Sequence, residues 1–266
     1  MIKRYLEWLA GHFRGFYSAV GLFLIGGLGV ALLALGLLAL LAESMAAGLT
    51  QSADDAILVW VSQHTNTGLD ALAIIGAALG SGVATWIALG IGTIVFWRSR
   101  HHYSVFILWA AILGGRLLNR TLKAAFGRAR PTLVEGDLSF FGQTWSFPDS
   151  PSFPSGHAIT SVVIFGTLAY LIARLEPSVR LRRLTLGIAV GMILLIGLSR
   201  IYLGVHYPSD VVAGWLVGFI WATFAAFGIE AVRYFRTRKP EVILEEKDLQ
   251  KGVRPIQETL HSDNHT

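Results

Sequence analysis

The sequence contains no cysteine, and only 15% of its 266 residues are charged. The lack of cysteine excludes disulfide bonds, metal sites built on thiolates and cysteine nucleophiles. A soluble domain usually carries about 25% charged residues. Because the charged fraction is low while 53% of the residues are hydrophobic, the composition indicates a membrane protein.

The apolar residues are gathered into long runs. Four stretches contain no Asp, Glu, Lys or Arg: residues 15–42, 71–97, 184–199 and 211–229. Since about 20 mostly apolar residues can cross a bilayer as a helix, the sequence predicts an all-α, polytopic membrane protein. Its six transmembrane helices are expected over residues 17–42, 71–97, 103–124, 157–174, 184–203 and 209–233.

Two of the predicted helices have unusual features. In the second, Gly80, Ser81 and Gly82 could separate a short amphipathic turn from the span that follows. In the third, Arg116 and Arg120 lie within the predicted span. We expect a structural role for these two arginines, although they could also line a cleft or pair with a carboxylate elsewhere.

Lys and Arg near the helix ends predict how the helices are oriented. Basic residues cluster before the first helix, at 98–100, at 174–183 and at 233–239, whereas residues 43–70 contain neither Lys nor Arg. Both termini and the short basic loops are therefore expected on the cytoplasmic side of a plasma (inner) membrane. This distribution also accounts for the net charge of +5, so we predict no nucleic-acid partner.

One domain is expected to account for most of the chain. Residues 1–239 should form a six-helix membrane domain, and the polar residues 240–266 a disordered cytoplasmic tail. The loop between the third and fourth helices departs from the charge pattern, because Lys123, Arg128 and Arg130 would lie on the extracytoplasmic side. Cations there contradict the orientation rule, which suggests that they serve another purpose.

Three segments with unusual polar residues fall at the extracytoplasmic ends of predicted helices 3 to 6. They are residues 123–131, 151–160 and 199–210. Because the four helix ends lie on the same side of the membrane, we expect the three segments to meet in one interfacial active site.

These segments contain what a phosphate-binding site needs. Lys123, Arg130 and Arg200 are cations without an evident counterion, and arginine matches phosphate oxygens two at a time. Ser155 and Gly156 precede a predicted helix start, where backbone N–H groups point outward and bind anions. Together the five residues predict a phosphate cradle built without a metal, and no cofactor is predicted.

Two histidines supply candidate catalytic groups. A neutral imidazole can attack phosphorus and form a covalent phosphohistidine, and we assign this role to His206. Asp210 follows four residues later, in the first turn of the next helix, from where its carboxylate can fix the tautomer of His206. His157 can protonate the leaving oxygen and later activate water.

The three segments together resemble the type 2 phosphatidic acid phosphatase family of membrane lipid phosphatases, which shares its site with vanadium haloperoxidases and glucose-6-phosphatase-like enzymes. The family's motifs are Lys, six residues and Arg-Pro; Pro-Ser-Gly-His; and Ser-Arg, five residues, His, three residues and Asp. They match residues 123–131, 154–157 and 199–210 in order and spacing. The resemblance covers residues from about 70 to 230.

The resemblance implies a metal-independent phosphatase that works through a phosphohistidine intermediate. Such family members act on phosphatidic acid, phosphatidylglycerol phosphate or undecaprenyl pyrophosphate, so the implied partner is a lipid phosphate in the membrane. In a bacterial protein, the outward-facing site would favour undecaprenyl pyrophosphate. The sequence indicates no particular protein partner.

Two alternatives remain open at this stage. A lipid phosphotransferase would form the same intermediate and pass the phosphoryl group to another lipid instead of water. A non-catalytic lipid-phosphate binding or transport protein could retain the pocket, although the intact pair of His206 and Asp210 argues against it.

Several residues outside the motifs receive simpler interpretations. Arg128 is a plausible contact for the lipid headgroup. Asp54 and Asp55 lack the further ligands that a metal site would need, so no role is assigned to them. Two pairs of glycines are expected to let helices approach closely: Gly187 with Gly191, and Gly214 with Gly218.

Overall fold

The computed structural model describes residues 22–131, 138–140, 143–145 and 150–228, with the backbone alone for 22–27 and for the two strands. Its helices are α1 (Leu22–Ala46), α2 (Gln51–Ser62), α3 (Thr67–Leu79), α4 (Gly82–Arg98), α5 (His102–Phe126), α6 (Gly156–Leu175), α7 (Val179–Tyr202) and α8 (Pro208–Gly228). Two strands, β1 (Leu138–Phe140) and β2 (Gln143–Trp145), pair antiparallel between α5 and α6. The regular secondary structure of the described chain is helical apart from this hairpin, which the sequence did not predict.

Five helices are long and apolar enough to cross a membrane: α1, α5, α6, α7 and α8. A sixth span results if α3 and α4, which meet at an angle of 57°, are counted together. On that count the number of spans agrees with the sequence prediction.

The second predicted span is divided where Gly80 and Ser81 allowed a break. The hydroxyl oxygen of Ser81 accepts a hydrogen bond of 3.2 Å from the N–H of Ala84 and so caps the start of α4. The preceding piece is a helix of 13 residues rather than a short turn. The break matters for the site, because Gly80 and Gly82 both line the cavity described below.

The sequence predicted a loop over residues 43–70, and the structure places helix α2 within this segment. It escaped prediction because its 12 residues are too few to cross a membrane and polar residues interrupt its apolar pattern. Within it, Asp54 is only 3% exposed. A buried carboxylate needs partners, and those partners come from the candidate site.

The core that supports the site lies among α4, α5, α6 and α8. Each of these helices contributes fully buried apolar side chains, among them Leu89, Leu108, Ile112, Ile159, Val163 and Val217. Buried interdigitating side chains of this kind fix the relative positions of the helices that carry the three polar segments.

The two glycine pairs behave differently. A Cβ atom on Gly214 would lie 2.7 Å from the carbonyl oxygen of Ser155, and one on Gly218 would lie 2.8 Å from Ile159. The expected close approach is therefore confirmed for this pair, between α8 and α6. It is wrong for Gly187 with Gly191, since no described atom lies within 4 Å of a Cβ built on either.

Some sequence predictions fall outside the described residues. These include the basic flank before the first helix, the basic cluster at 233–239 and the tail at 240–266, so the orientation of the termini stays a prediction. The described residues up to Ala226 belong to one compact unit. The predicted domain end at residue 239 likewise stays a prediction.

Candidate active site

Backbone contacts hold the first polar segment beside the second. After α5, Gly127 adopts a left-handed conformation (φ 59°) that turns the chain away from the helix axis. The N–H of Ser152 then donates to the carbonyl oxygen of Arg128 at 2.8 Å. Its hydroxyl donates to the carbonyl oxygen of Ala129 at 2.9 Å. The chain around the first motif is thereby fixed next to the loop that leads into α6.

The second and third segments are joined in the same way. The N–H of Ser155 donates to the carbonyl oxygen of Asp210 at 2.9 Å, one residue before α6 begins. Beyond α7, Gly204 has a φ of 64° and reverses the chain. The N–H groups of the next two residues, including His206, return to the carbonyl oxygen of Arg200 at 3.2 and 3.3 Å. This turn brings His206 beside the end of α7.

The three segments meet around a cavity of about 280 Å³. Six of the predicted site residues line it: Lys123, Arg130, Gly156, His157, Arg200 and His206. The other two, Ser155 and Asp210, are fully buried behind this lining. The structure therefore brings all eight predicted residues together.

His206 is buried between a carboxylate and a cation. Its Nδ1 atom lies 3.4 Å from Oδ2 of Asp210, within ionic reach but outside hydrogen-bond alignment. Its Nε2 atom lies 3.4 Å from Nη1 of Arg130. Because a guanidinium group can only donate, this contact favours the tautomer with the proton on Nδ1, in which Nε2 carries the lone pair.

The surroundings of His206 also set its charge. Burial lowers the pKa of His206 to about 4; the carboxylate of Asp210 opposes this shift, and Arg130 and Arg200 reinforce it. At neutral pH the imidazole is therefore uncharged, as a nucleophile must be. Burial also lowers the pKa of Arg130, against the influence of Asp210, but a guanidinium group keeps its proton at neutral pH.

The cations of the cavity differ in how they are held. Arg130 is fixed by three hydrogen bonds. Its Nε donates to the Ser150 carbonyl at 2.9 Å, and its Nη2 donates to the Ser150 hydroxyl at 3.1 Å. Its Nη1 donates to the Val205 carbonyl at 2.7 Å. The Lys123 ammonium group donates to the backbone carbonyl of Pro151 in the neighbouring loop. Arg200 is buried, yet its Nε has no hydrogen-bond partner among the described residues. That donor remains available to an anion.

The start of α6 contributes a hydroxyl group and the second histidine. The Ser155 hydroxyl is buried and has no partner in the described part of the chain. The imidazole of His157 bonds to the backbone of Ala77. A Cβ atom on Gly80 would lie 2.7 Å from Cδ2 of His157, so α3 supports this ring closely. His157 and His206 thus line the cavity from different elements, the start of α6 and the turn after α7.

Arg128 forms internal hydrogen bonds instead of the headgroup contact that the sequence suggested. Its Nη1 atom donates to Oδ1 of Asp210 and to the hydroxyl of Ser209, both at 2.8 Å. Its Nη2 atom donates to Oδ2 of Asp54 at 2.9 Å and to Oε1 of Gln51 at 3.1 Å. The expected headgroup contact is wrong, because these internal contacts occupy the guanidinium group.

Asp54 and Ser209 complete this network, which sequence reasoning missed. Asp54 accepts from the Ser209 N–H at 3.0 Å and from its hydroxyl at 2.5 Å. The Arg128 guanidinium also lies over the Tyr207 ring, 4.1 Å from its centroid. The one available signal was that Arg128 violates the orientation rule; nothing connected it with Asp54, which lies 74 residues away.

The cavity extends along α5 beyond the family motif. Arg116, Asn119 and Arg120 line it too, so of the interpretations left open the structure supports the one in which the arginines line a cleft. None of the described lining residues is acidic. Within the described residues, no three His, Asp or Glu side chains gather in a way that could hold a metal ion.

A solved membrane protein shares this fold. The crystal structure of a transmembrane PAP2-type phosphatidylglycerolphosphate phosphatase from Bacillus subtilis superposes with a TM-score of 0.68, covering 76% of this chain and 96% of that chain at 24% identity. Together with the apolar helices, this likeness defines a multi-pass membrane protein with a helical fold.

Curated relatives share part of the sequence. Phosphatidylglycerophosphatase B of Bacillus subtilis is 32% identical over 124 residues, which cover 46% of this chain and 57% of the relative. Undecaprenyl-diphosphatase of Sulfolobus acidocaldarius is 30% identical over 149 residues, which cover 55% of this chain and 64% of the relative. The chain thus spans less than two thirds of the length of both.

The family follows from the region that carries the site. The model of the PAP2 superfamily matches residues 103–233. This region begins at α5 and contains all three polar segments with the eight predicted site residues. It belongs to the PAP2 superfamily, which confirms the resemblance that the motifs indicated.

Proposed function

We propose that this protein is an integral-membrane lipid phosphatase that hydrolyses the terminal phosphate of a lipid phosphate or diphosphate. The observation that carries the proposal is the cavity. Two histidines and five Lys or Arg side chains line it, and its described lining includes no carboxylate. The buried Nε of Arg200 and hydroxyl of Ser155, both without a partner among the described residues, favour an anionic ligand.

The reaction begins with transfer of the phosphoryl group to the protein. Nε2 of His206 attacks the terminal phosphorus, a P–N bond forms, and the bond from phosphorus to the leaving oxygen breaks. His157 donates a proton to that oxygen, so the lipid leaves as a neutral alcohol or as a protonated monophosphate. In the second half, water attacks the phosphohistidine and gives a proton to His157. The P–N bond breaks, and inorganic phosphate leaves.

The neighbouring groups lower the barrier to both steps. The carboxylate of Asp210, 3.4 Å from Nδ1, favours a proton on that atom and stabilises the positive charge that the ring gains as the P–N bond forms. Lys123, Arg130 and Arg200 oppose the negative charge of the phosphoryl oxygens. The N–H group of Gly156 at the start of α6 adds a dipole of the same sign.

The cavity volume is informative about how a lipid would bind. At about 280 Å³ it lies just below the range of roughly 300–1,000 Å³ for small-molecule sites. It therefore suits a headgroup, while the tail would lie along the apolar helices. Phosphatidic acid, phosphatidylglycerol phosphate and undecaprenyl pyrophosphate are the candidate substrates, and the names of the two curated relatives refer to the latter two kinds.

The orientation is part of the proposal. The Lys and Arg clusters of the sequence favour cytoplasmic termini in a plasma (inner) membrane. The ends of the helices that carry the cavity would then lie at the extracytoplasmic surface.

Phosphate release from the three candidate lipids tests the proposal. The purified protein in detergent, with EDTA present, should release phosphate from at least one of them, and His206→Ala should not. His64→Ala is a matched control, because His64 bonds to the Trp60 carbonyl of the preceding helix α2 and does not line the cavity. Full activity of His206→Ala would exclude it as the nucleophile. No release by the wild type would overturn the phosphatase and favour a transferase or a binding protein.

A further inference from the structure

We propose that Arg116 and Arg120 form a second anion subsite, which binds a phosphorus group located between the terminal phosphate and the lipid tail. The inference rests on the proposed function and narrows its substrate class. The preferred lipid would carry two linked anionic phosphorus groups, either as a diphosphate or as a phosphodiester with a terminal phosphate. Phosphatidic acid, with one phosphorus atom, would leave this subsite unused.

The two arginines continue the cationic wall that begins at Lys123. Residues 116, 120 and 123 are spaced by four and three positions, so their side chains lie on one face of α5. With a rise of 1.5 Å per residue, Arg116 lies about 10 Å from Lys123 along the helix axis. Both arginines line the same cavity as Lys123, Arg130 and Arg200. The positive wall is therefore longer than one phosphate group requires.

Their charges lack compensation in the described part of the chain. Neither arginine forms an ion pair there with Asp or Glu, and Arg116 instead lies over the Trp86 ring, 5.6 Å from its centroid. A cation within a membrane-spanning helix is costly and is usually matched by a partner or a function. A snorkelling side chain could account for the exposed Arg120, but Arg116 is half-buried and lies deeper in the helix.

The direction of the wall matches the shape of a lipid substrate. The terminal phosphate would lie at His206 and Arg200, near the end of α5 that is marked by Lys123. From there α5 runs into the apolar part of the bundle, where a lipid tail would lie. Arg120 and Arg116 are on that tail side. A second phosphorus group, which is always nearer to the tail than the terminal one, would therefore meet them.

Asn119 adds a neutral polar group at the same level of helix α5 as the two arginines. It lines the cavity between the two arginines in sequence. Its Oδ1 atom is buried and has no hydrogen-bond partner among the described residues. Only the Nδ2 end of this amide can donate to an anion bound at the subsite, because an amide oxygen accepts hydrogen bonds.

Substrate selectivity tests the inference. We would measure kcat/KM for phosphatidic acid, for a polyprenyl diphosphate and for phosphatidylglycerol phosphate, using wild type, Arg116→Gln and Arg120→Gln. The ratio of kcat/KM for a two-phosphorus lipid to that for phosphatidic acid should fall about tenfold or more in both variants, the usual scale of one charged hydrogen bond. Arg98→Gln, at the far end of α4 from Gly82, is the control and should leave the ratio unchanged.

The outcomes separate the possible failures. If the kcat/KM ratio falls for the diphosphate alone, the subsite binds a diphosphate. If it falls for phosphatidylglycerol phosphate alone, the subsite binds a phosphodiester. An unchanged ratio in Arg120→Gln overturns the inference even if Arg116→Gln does not fold, because the exposed Arg120 can be replaced without disturbing the core. Equal losses for all three lipids also overturn it while leaving the phosphatase intact. If the wild type hydrolyses none of them, the proposed function fails first.

Discussion

Arg128 binds the carboxylate of Asp210 directly, with Nη1 2.8 Å from Oδ1. The other oxygen, Oδ2, accepts from the Tyr207 N–H at 2.9 Å and faces His206. Asp210 is therefore held from both sides, and Asp54 holds Arg128 in turn at 2.9 Å. This chain of contacts connects helix α2, which does not line the cavity, to the proposed nucleophile.

We predict that Asp54 and Arg128 act as positioning residues. Asp54→Asn and Arg128→Lys should lower kcat with little change in KM, and Arg128→Gln should lower kcat further, by about a hundredfold, because a small misplacement of a reacting group has that effect. Steady-state kinetics per folded molecule would be measured on all three variants. The partial rescue by lysine distinguishes a positioning role from a purely structural one.

The matching control is Glu43→Gln, which removes an exposed carboxylate of α1. Breaking a buried ion pair also costs about 3–5 kcal/mol of stability, so thermal unfolding should be recorded for each variant. A normal kcat in the folded fraction of Arg128→Gln, with only the unfolding temperature lowered, would show that the network is structural alone.

The protonation of His206 gives a second prediction. Because burial lowers its pKa to about 4, the neutral, nucleophilic form should persist down to about that pH and be lost below it. NMR titration of histidine-labelled protein, with His206→Ala to assign the resonance, measures this midpoint. A midpoint near 6.5, the ordinary value for histidine, would contradict the buried site described here.

Ser155 offers a test that separates binding from folding. Since its buried hydroxyl has no partner among the described residues, Ser155→Ala should leave the unfolding temperature unchanged. It should lower kcat/KM about tenfold if the hydroxyl binds the phosphoryl group. Ser161→Ala is the control, because that hydroxyl donates within α6 to the carbonyl of Ala158. Unchanged kinetics in Ser155→Ala would remove this residue from the site.

Gly80 tests the placement of His157. Its backbone accommodates alanine (φ −86°), but the added Cβ would press on Cγ2 of Ile196 at 2.6 Å and on the His157 ring at 2.7 Å. Gly80→Ala should therefore slow hydrolysis of a lipid phosphate by roughly a hundredfold, the usual value of general acid catalysis. Hydrolysis of p-nitrophenyl phosphate should suffer less, because its leaving group needs no proton.

Gly90→Ala provides the comparison for Gly80→Ala, since no described atom lies within 4 Å of a Cβ at that position. It should behave as wild type with both substrates. If Gly80→Ala slows both substrates equally, the role of His157 as the acid for the leaving group is wrong.

The sequence was informative about the spans and the motif residues for physical reasons. A bilayer demands long apolar helices, so composition alone located the five long helices and the divided pair. Fixed spacings at the ends of those helices then placed Lys123, His157 and His206 on one side. The eight proposed site residues could be named because their residue types suit phosphate chemistry and recur at the fixed spacings of the three motifs, next to predicted helix ends.

The remainder depends on contacts that spacing does not encode. Gly187 and Gly214 begin the same small-residue pattern, yet only the second faces a neighbouring helix, and the sequence does not say which face is covered. The sequence assigned no role to Asp54. Its burial became intelligible only when the fold brought it to Arg128 and Ser209.

Trapping the phosphorylated protein tests the central claim most directly. The protein would be mixed with a ³²P-labelled lipid substrate, quenched in alkali, which preserves phosphohistidine, and digested with trypsin. We predict a phosphohistidine at His206, in the peptide that begins at Ile201, and no label in His206→Ala. Label on another residue, or turnover by the wild type with no labelled protein at any quench time, would contradict the mechanism.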